Sequence, residues 1–429
     1  MKVLVIGTGY VGLIQGVCLA ELGHTVTCVD NNVEKIKNLK AGFSPIYEPG
    51  LDEMLARNLK SGRLHFDTDI KSHVNTHELI FIAVGTPADE QGRADLRAVL
   101  EVTRAIATTI DSQRIVVIKS TVPIGTNTLI KNTVREHYQG SFEVVSNPEF
   151  LREGSAITDF MHPDRIVVGI DDGSKAAAVL KDLYAPLKAP TIVTNLVTAE
   201  MIKYASNSYL ATQISFINTI ARITEKMGAD VTTVAEGMKL DRRIGQKAFL
   251  SSGLGYGGSC FPKDVKALIS IAHDAGEEFT ILEAVEDINQ SQRSRFIAMI
   301  KRIVGSLEGK KVALWGVAFK PGTDDIREAP AISLIEQLEA LGAQVTAYDP
   351  IAQEAAQARL PNTRFAKRAL EATSDADLLV IATEWSEFKD INLATLKKKM
   401  NVPLIFDGRN MLDPKQVKDL GFKYFSIGR

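Results

Sequence analysis

The stretch Gly7-Thr8-Gly9-Tyr10-Val11-Gly12 follows the apolar run Val3 to Ile6 and precedes the helical pattern Val11 to Leu22, a placement that restricts the fold more than any other segment. In a strand, turn and helix of this spacing, Gly7 permits the tight turn and Gly9 lets the backbone approach a pyrophosphate. Gly12 allows the helix to pack closely on the strand. The helix N-terminus then offers its N–H groups to the anion. Asp30 follows the next strand candidate, Thr25 to Val29, where its carboxylate can accept both hydroxyls of a ribose and would repel a 2′-phosphate. Asn31 and Asn32 add no positive charge there, although Lys35 lies one helical turn on. The pattern predicts a dinucleotide site for NAD rather than NADP.

Further short β-branched runs, at Leu79 to Val84, Ile115 to Lys119, Glu143 to Ser146 and Ile166 to Ile170, alternate with helix-length segments. Their nearly continuous apolar character predicts a parallel sheet covered on both faces. From Thr198 to about Ala229 one long helical pattern takes over, followed by a mostly helical stretch to Val304 that SSGLGYGGSC interrupts at residues 251–260. Strand candidates return at Val312 to Trp315, Val345 to Tyr348, Leu378 to Ala382 and Leu404 to Phe406. The expected architecture is α/β: two Rossmann-like parallel-sheet domains, residues 1–197 and 305–429, joined by a long central helix and helical segment over 198–304.

Lys plus Arg is 50 against 52 for Asp plus Glu, a formal charge of −2, and no long single-sign run points to nucleic acid or a membrane surface. A small-molecule partner is expected. No apolar run approaches the roughly 18 residues of a membrane span, and Gly7 interrupts the one stretch that resembles the start of a signal peptide. Three cysteines, Cys18, Cys28 and Cys260, cannot build a disulfide framework, which suits a reducing, cytoplasmic setting. The seven histidines show no metal-ligand spacing, so no metal site is expected.

The chemistry concentrates in Gly255-Tyr256-Gly257-Gly258-Ser259-Cys260-Phe261-Pro262-Lys263-Asp264. Pro262, before the apolar-periodic Val265, Leu268, Ile269 and Ala272, marks a helix N-terminus. A thiol there is favoured as thiolate, the more so beside Lys263, so Cys260 is the nucleophile candidate. Asp264, four residues on, could pass a proton or order a water, or could simply be an acid favoured by the helix dipole. Lys203 and Asn207 stand at i, i+4 spacing on the long helix, where an ammonium and an amide can hold an oxyanion, although such pairs usually belong to a solvated face. The loop Ser146-Asn147-Pro148-Glu149-Phe150-Leu151-Arg152-Glu153-Gly154 ends a strand, as do Gly85-Thr86-Pro87 and Ser120-Thr121-Val122-Pro123. In the second sheet, Lys320, Arg327 and Arg409 at strand ends suit a phosphorylated ligand. There Gly316 leads into Val317 and Ala318 rather than a second GxGxxG, so a second dinucleotide is not expected.

These segments, together with Ser44-Pro45-Ile46-Tyr47-Glu48-Pro49-Gly50 and FKPGTDDIRE at residues 319–328, resemble the UDP-glucose/GDP-mannose dehydrogenase family along the whole chain. The resemblance implies an NAD-dependent twofold oxidation of a sugar C6 alcohol to a carboxylate, through a thiohemiacetal and a thioester on Cys260. Arg242-Arg243-Ile244-Gly245 and Phe249 to Gly253 look like the branch that turns UDP-glucose into UDP-glucuronate; the same chemistry on another nucleotide sugar, such as GDP-mannose, is the alternative. Carried over by motif position, Cys260, Lys203, Asn207, Asp264, Glu149 and Thr121 would be catalytic. Gly7, Gly9, Tyr10, Val11, Gly12, Asp30, Lys35, Thr86, Thr121, Glu153, Lys263 and Arg327 would hold the cofactor. The sugar nucleotide would meet Glu149, Phe150, Leu151, Arg152, Lys203, Asn207, Phe249, Leu250, Ser251, Ser252, Gly253, Gly257, Lys320 and Arg409. The resemblance also implies a homodimer in which Arg243 reaches the neighbouring subunit's sugar site. A single-step alcohol dehydrogenase, an epimerase and a non-catalytic NAD sensor are the rival readings, separated by the NADH formed per sugar.

Overall fold

The computed structural model describes residues 1–89 and 92–429, in two compact units, Met1–Ser206 and Asn207–Arg429. The first holds strands β1 (Lys2–Ile6), β2 (Thr25–Val29), β3 (Leu64–Asp67), β4 (Leu79–Ile82), β5 (Arg114–Ile118), β6 (Phe142–Ser146), β7 (Ile166–Gly169) and β8 (Thr191–Thr194). They form one sheet in the order β3-β2-β1-β4-β5-β6-β7-β8. Side chains of alternating parity build separate cores on its two faces, Val3, Val5, Leu79 and Phe81 on one and Leu4, Ile6, Ile80 and Ile82 on the other. Both faces are therefore covered, as the apolar runs predict. Strand order reverses between β1 and β4, which opens a ligand crevice at their carboxyl ends. Helix α1 (Tyr10–Glu21) leaves β1 at that crevice.

The sheet departs from the all-parallel expectation at one place. Ser146 of β6 pairs with Gly169 of β7 in antiparallel sense, while β7 and β8 run parallel to each other. The connection over residues 147–165 holds only the short helix Ala156–Met161, and an antiparallel neighbour needs no long crossover.

Helix α2 (Leu196–Met227) is 32 residues long, starts two residues before the sequence pattern suggests, and crosses from the first unit into the second. The second unit continues with α3 (Phe261–Asp274) and α4 (Thr280–Val304). A six-stranded sheet follows: β9 (Lys311–Trp315), β10 (Gln344–Tyr348), β11 (Arg364–Phe365), β12 (Leu378–Ile381), β13 (Leu404–Asp407) and β14 (Lys423–Ser426), in the order β11-β10-β9-β12-β13-β14, all parallel. Helix α5 (Pro330–Ala340) connects β9 to β10. One core joins this sheet to Ile217 and Ala221 of α2 and to Phe296, Ile297 and Ile300 of α4. Among the described residues, no helix is long and apolar enough to cross a membrane.

Candidate active site

The turn after β1 is shaped by its glycines. Gly7 takes φ +98° and a Cβ there would lie 2.7 Å from the Ala83 carbonyl oxygen; a Cβ on Gly12 would lie 1.9 Å from the Gly7 oxygen. Gly9, the N-cap of α1, has nothing within 4 Å of its Cβ direction. The two outer glycines thus serve close packing, and the middle one leaves open space at a helix N-terminus, the cradle that a pyrophosphate requires. Asp30 receives the Thr8 N–H and hydroxyl at 2.9 and 2.8 Å, the Asn32 N–H at 3.0 Å and the Lys35 ammonium at 3.0 Å. Burial raises its pKa, but the hydrogen bonds from Asn32 and Thr8, with Lys35, outweigh this and hold the carboxyl below its ordinary value. The residues present fit the adenosine side of NAD.

Tyr10 of the same turn donates its hydroxyl to Glu48, and Glu48 also accepts the Gly154 N–H at 2.6 Å and the Ala156 N–H at 2.7 Å. Burial and the Glu48 carboxylate push the Tyr10 phenol far up, so it stays a donor. Glu48 therefore ties the SPIYEPG loop, the dinucleotide turn and the loop carrying Glu149 to Glu153 into one piece. Thr86 donates to the Thr121 carbonyl at 2.7 Å, joining the loops that end β4 and β5.

Within the first unit, the Lys203 ammonium meets Glu149 Oε1 at 2.7 Å, both side chains almost fully buried. The Leu151 N–H donates to Glu149 Oε2 at 2.5 Å. Burial alone would raise the Glu149 pKa, but Lys203, the Leu151 N–H and the charge of Lys119 together lower it. Phe150 lies beneath two cations, Arg165 at 3.7 Å and Lys203 at 5.6 Å from its ring. Arg152, by contrast, is exposed and makes a bidentate pair with Asp159 at 2.9 and 2.6 Å.

In the second unit Cys260 is the N-cap of α3, with Pro262 in the first turn, and is half-buried. The Cys260 carbonyl accepts the Asp264 N–H at 2.8 Å, and the Ser259 hydroxyl stands 3.6 Å from the sulfur. Asp264 is buried rather than a solvated first-turn acid: Lys263 Nζ donates to one oxygen and Asn207 Nδ2 to the other, each at 2.6 Å. The i, i+4 pair on α2 thus splits its attention, Lys203 holding Glu149 and Asn207 holding Asp264.

The loop before Cys260 is fastened on several sides. Phe249 N–H donates to Gln213 at 2.8 Å and Gly253 N–H to Asn218 at 2.8 Å, both on α2, while the Tyr256 N–H donates to Asn289 on α4 at 2.8 Å. The Ser252 hydroxyl accepts from Asn410 at 3.0 Å, and Leu250 is buried. A Cβ on Gly257 would lie 2.2 Å from the Glu328 oxygen, so its neighbour is the FKPGTDDIRE loop. Arg409 reaches the Ala382 and Phe319 carbonyls at 2.7 and 3.1 Å, bringing the ends of β9, β12 and β13 together beside Gly253. Lys320 follows Phe319 in this cluster, its ammonium 5.6 Å from that ring. Arg327 and Arg243 are exposed, each bidentate to the aspartate two residues before it, Asp325 and Asp241.

The motifs gave no role to Lys119 at the end of its apolar run, to Asn147 within its loop, or to Asp349. Lys119 ends the apolar run IVVI, and a lysine closing a buried strand was the available signal. Asp349 follows β10 as Asp30 follows β2, a repeat that could have been matched between the sheets.

The sequence matches three profiles of one family: "UDP-glucose/GDP-mannose dehydrogenase family, NAD binding domain" over residues 1–188, its "central domain" over 197–291 and its "UDP binding domain" over 313–414. The chain is 47% identical to UDP-glucose 6-dehydrogenase TuaD of Bacillus subtilis, over all of this chain and 93% of that one. It is 46% identical to a UDP-glucose 6-dehydrogenase of Rhizobium meliloti, over the full length of both. A solved UDP-glucose dehydrogenase from Pyrobaculum islandicum superposes with a TM-score of 0.93 at 39% identity, covering 99% of this chain and 96% of that one.

Proposed function

We propose, from the premise that the chain belongs to the UDP-glucose/GDP-mannose dehydrogenase family, that it oxidises the C6 alcohol of UDP-glucose twice, to the carboxylate of UDP-glucuronate. It is an NAD-dependent oxidoreductase. The observation that carries the mechanistic reading is Cys260 at the N-terminus of α3, with the buried, doubly held Asp264 one turn on. In this reading residues 1–197 bind the cofactor, 198–304 carry the nucleophile and 305–429 hold the UDP portion.

When bound, NAD accepts the hydrogen and two electrons removed from C6 in each oxidation. The first oxidation removes the C6 hydrogen as hydride, passes the hydroxyl proton to water ordered by Asp264, and leaves an aldehyde. The Cys260 thiolate, favoured at a helix N-terminus, adds to the carbonyl carbon and forms a thiohemiacetal. Lys203 and Asn207 supply N–H donors to its oxygen, which carries the developing charge. The second oxidation converts the thiohemiacetal to a thioester. Water then adds to the thioester carbonyl, the C–S bond breaks, and the carboxylate leaves with the thiol restored. Glu149, an anion in its buried pair, takes the proton of that water with Thr121 beside it, and Asp264 orders water and passes protons near the sulfur. A covalent intermediate keeps the aldehyde from escaping between the two oxidations.

A homodimer fits an apolar stripe that α2 leaves exposed: Tyr209, Phe216 and Ile223, seven residues apart, are 65, 47 and 52% exposed. Arg243, on an exposed loop, would extend to the partner's sugar site. The sparse cysteines suit a cytoplasmic setting.

The test is NADH yield and product for the parent and for Cys260→Ala, across UDP-glucose, UDP-galactose, GDP-mannose and UDP-N-acetylhexosamines. The parent should give two NADH per UDP-glucose, and Cys260→Ala should make no uronate. Uronate at the parent rate from Cys260→Ala would remove the sulfur from the mechanism.

A further inference from the structure

Directly after β5, Lys119 is only 7% exposed. Its Nζ donates to Asn147 Oδ1 at 3.1 Å and stands 5.8 Å from the Tyr184 ring centroid. The same amide oxygen accepts the Tyr184 hydroxyl at 2.8 Å, and that hydroxyl accepts from Gln15 of α1 at 2.9 Å. Asn147 is fixed further by its amide on the Val167 carbonyl at 2.7 Å and its N–H on the Ile118 carbonyl at 2.9 Å. A chain of buried polar contacts thus runs from the cofactor helix to the loop that carries Glu149. Among the described residues, no carboxylate comes within ion-pairing distance of Lys119. A buried ammonium bonded to a neutral amide is costly, and packing alone would be served by an apolar side chain of the same length.

We propose that Lys119 is a positioning residue for the oxidation: a buried cation, anchored by Asn147, that fixes the charge carried by the Glu149–Lys203 pair. The proposal rests on the reading of Glu149 and Lys203 as members of the reacting site. The groups in contact with Lys119 are Asn147 from the loop after β6 and Tyr184 from the helix Ala176–Tyr184, neither of them charged; the charges that act on it are Glu149 from the same loop and Lys203 from α2. Lys119 acts on the two in opposite directions, favouring the Glu149 anion and disfavouring the Lys203 cation. Burial pushes the Lys119 ammonium down, Glu149 raises it and Lys203 lowers it again, leaving it at about 8. Burial keeps the Tyr184 phenol protonated well above that range. As pH rises past Lys119's titration the cluster of Lys119, Glu149 and Lys203 loses its net positive charge.

The experiment measures kcat and KM for UDP-glucose from pH 6 to 10 in the full-length enzyme with NAD, for the parent, Lys119→Met, Lys119→Arg and Asn147→Asp. NAD affinity is titrated directly, and the acyl adduct on Cys260 is followed by intact mass after rapid quenching. The parent should show a transition near the Lys119 value. Lys119→Met should lose that transition and about tenfold in kcat, the equivalent of one pKa unit of interaction, with KM and NAD affinity within about threefold. Lys119→Arg, whose charge does not titrate in this range, should recover most of kcat and also lack the transition. Asn147→Asp places an anion against Lys119 and should move the transition to higher pH by roughly one unit. A Lys119→Met profile of unchanged shape, or an unmoved transition in Asn147→Asp, would sink the proposal. If Lys119→Met does not fold, Lys119→Arg and Asn147→Asp decide alone. Absence of the Cys260 adduct in the parent would count against the thioester reading instead, leaving the pH comparison to stand by itself.

Discussion

At the end of β1, Gly7 takes φ +98° and donates its N–H to the Val29 carbonyl at 2.8 Å; at the end of β9, Gly316 takes φ +86° and donates to the Tyr348 carbonyl at 2.8 Å. A Cβ on Gly7 would meet the Ala83 oxygen at 2.7 Å, and one on Gly316 would meet the Thr383 side chain at 2.3 Å. Both turns also face an aspartate from the following strand, Asp30 and Asp349. There the likeness ends. Asp349 is buried and takes the Val317 and Ala318 N–H groups at 2.7 and 3.0 Å, the Trp385 indole at 3.0 Å, and the Ile351 and Ala352 N–H groups at 3.0 and 2.8 Å. No helix starts at that turn; α5 begins only at Pro330. In the first turn α1 starts at once and Gly9 stands open, while Asp30 is held partly by a lysine and a threonine hydroxyl, groups that can move aside for a ribose. The same topological position thus carries a structural anion in one sheet and, in the other, the anion that the proposed cofactor site would use. What decides is whether the turn feeds a helix N-terminus.

The largest effect that tests this difference is Asp349→Ala. It strands five donors, four of them buried and each of those worth about 1–3 kcal/mol when left without a partner, so the second unit should lose at least about 3 kcal/mol of stability. Both tryptophans, Trp315 and Trp385, lie in that unit, so denaturant unfolding followed by their fluorescence reports it directly. NAD affinity should stay within about twofold. Lost NAD binding with an unmoved tryptophan transition would break the comparison.

Gly9→Ala tests the other side. Gly9 has φ −69°, which alanine adopts without strain, and open space where the methyl would go. Thermal stability should fall only modestly, since Gly ranks above Ala at an N-cap by about 0.5–1 kcal/mol. NAD affinity should fall about tenfold or more, at least about 1.4 kcal/mol, read by direct titration. An alanine variant that binds NAD as the parent does would mean that the open side of the turn is not the cradle.

What could be read in the chain was what its neighbours in sequence decide. The GTGYVG turn, Asp30, the α3 start at Pro262 and the long α2 are local patterns, and the structure has all of them. Strands β3, β8, β11 and β14 were missed because they are short or only partly buried, and β3, β8, β11 and β14 all lie at sheet edges, where alternation is weak. The polar ties were illegible for a different reason. Glu48 joins Tyr10, Gly154 and Ala156 across 38, 106 and 108 residues, and Lys119 meets Asn147 across 28. No spacing encodes such partners. The i, i+4 pair Lys203 and Asn207 could be placed on one helix, but not the fact that each holds a different carboxylate.

The smallest effect compares a half-buried carboxylate with a fully buried one of opposite tendency. Asp30 is held below its ordinary pKa, despite burial, by the Asn32 and Thr8 hydrogen bonds and Lys35; Asp407 is raised, because burial outweighs its bonds from Leu412, Arg409 and Tyr424. A depressed carboxyl contributes stability that is present above its unfolded pKa and lost as pH falls through the folded one. The stability gap between the parent and Asp30→Asn, measured without NAD, should therefore close on acidification below the usual carboxylate range. A raised carboxyl behaves in reverse, its contribution being present at low pH and lost as pH rises through the folded value. The parent should accordingly gain on Asp407→Asn as pH falls through the elevated Asp407 value. Each slope should amount to about 1 kcal/mol at most after solvent screening. Tryptophan fluorescence reads the second unit and amide exchange in β1 and β2 reads the first. Slopes of the same sign in the two units would mean that Asp30 and Asp407 are not held in the opposed ways that their burial and hydrogen bonds describe.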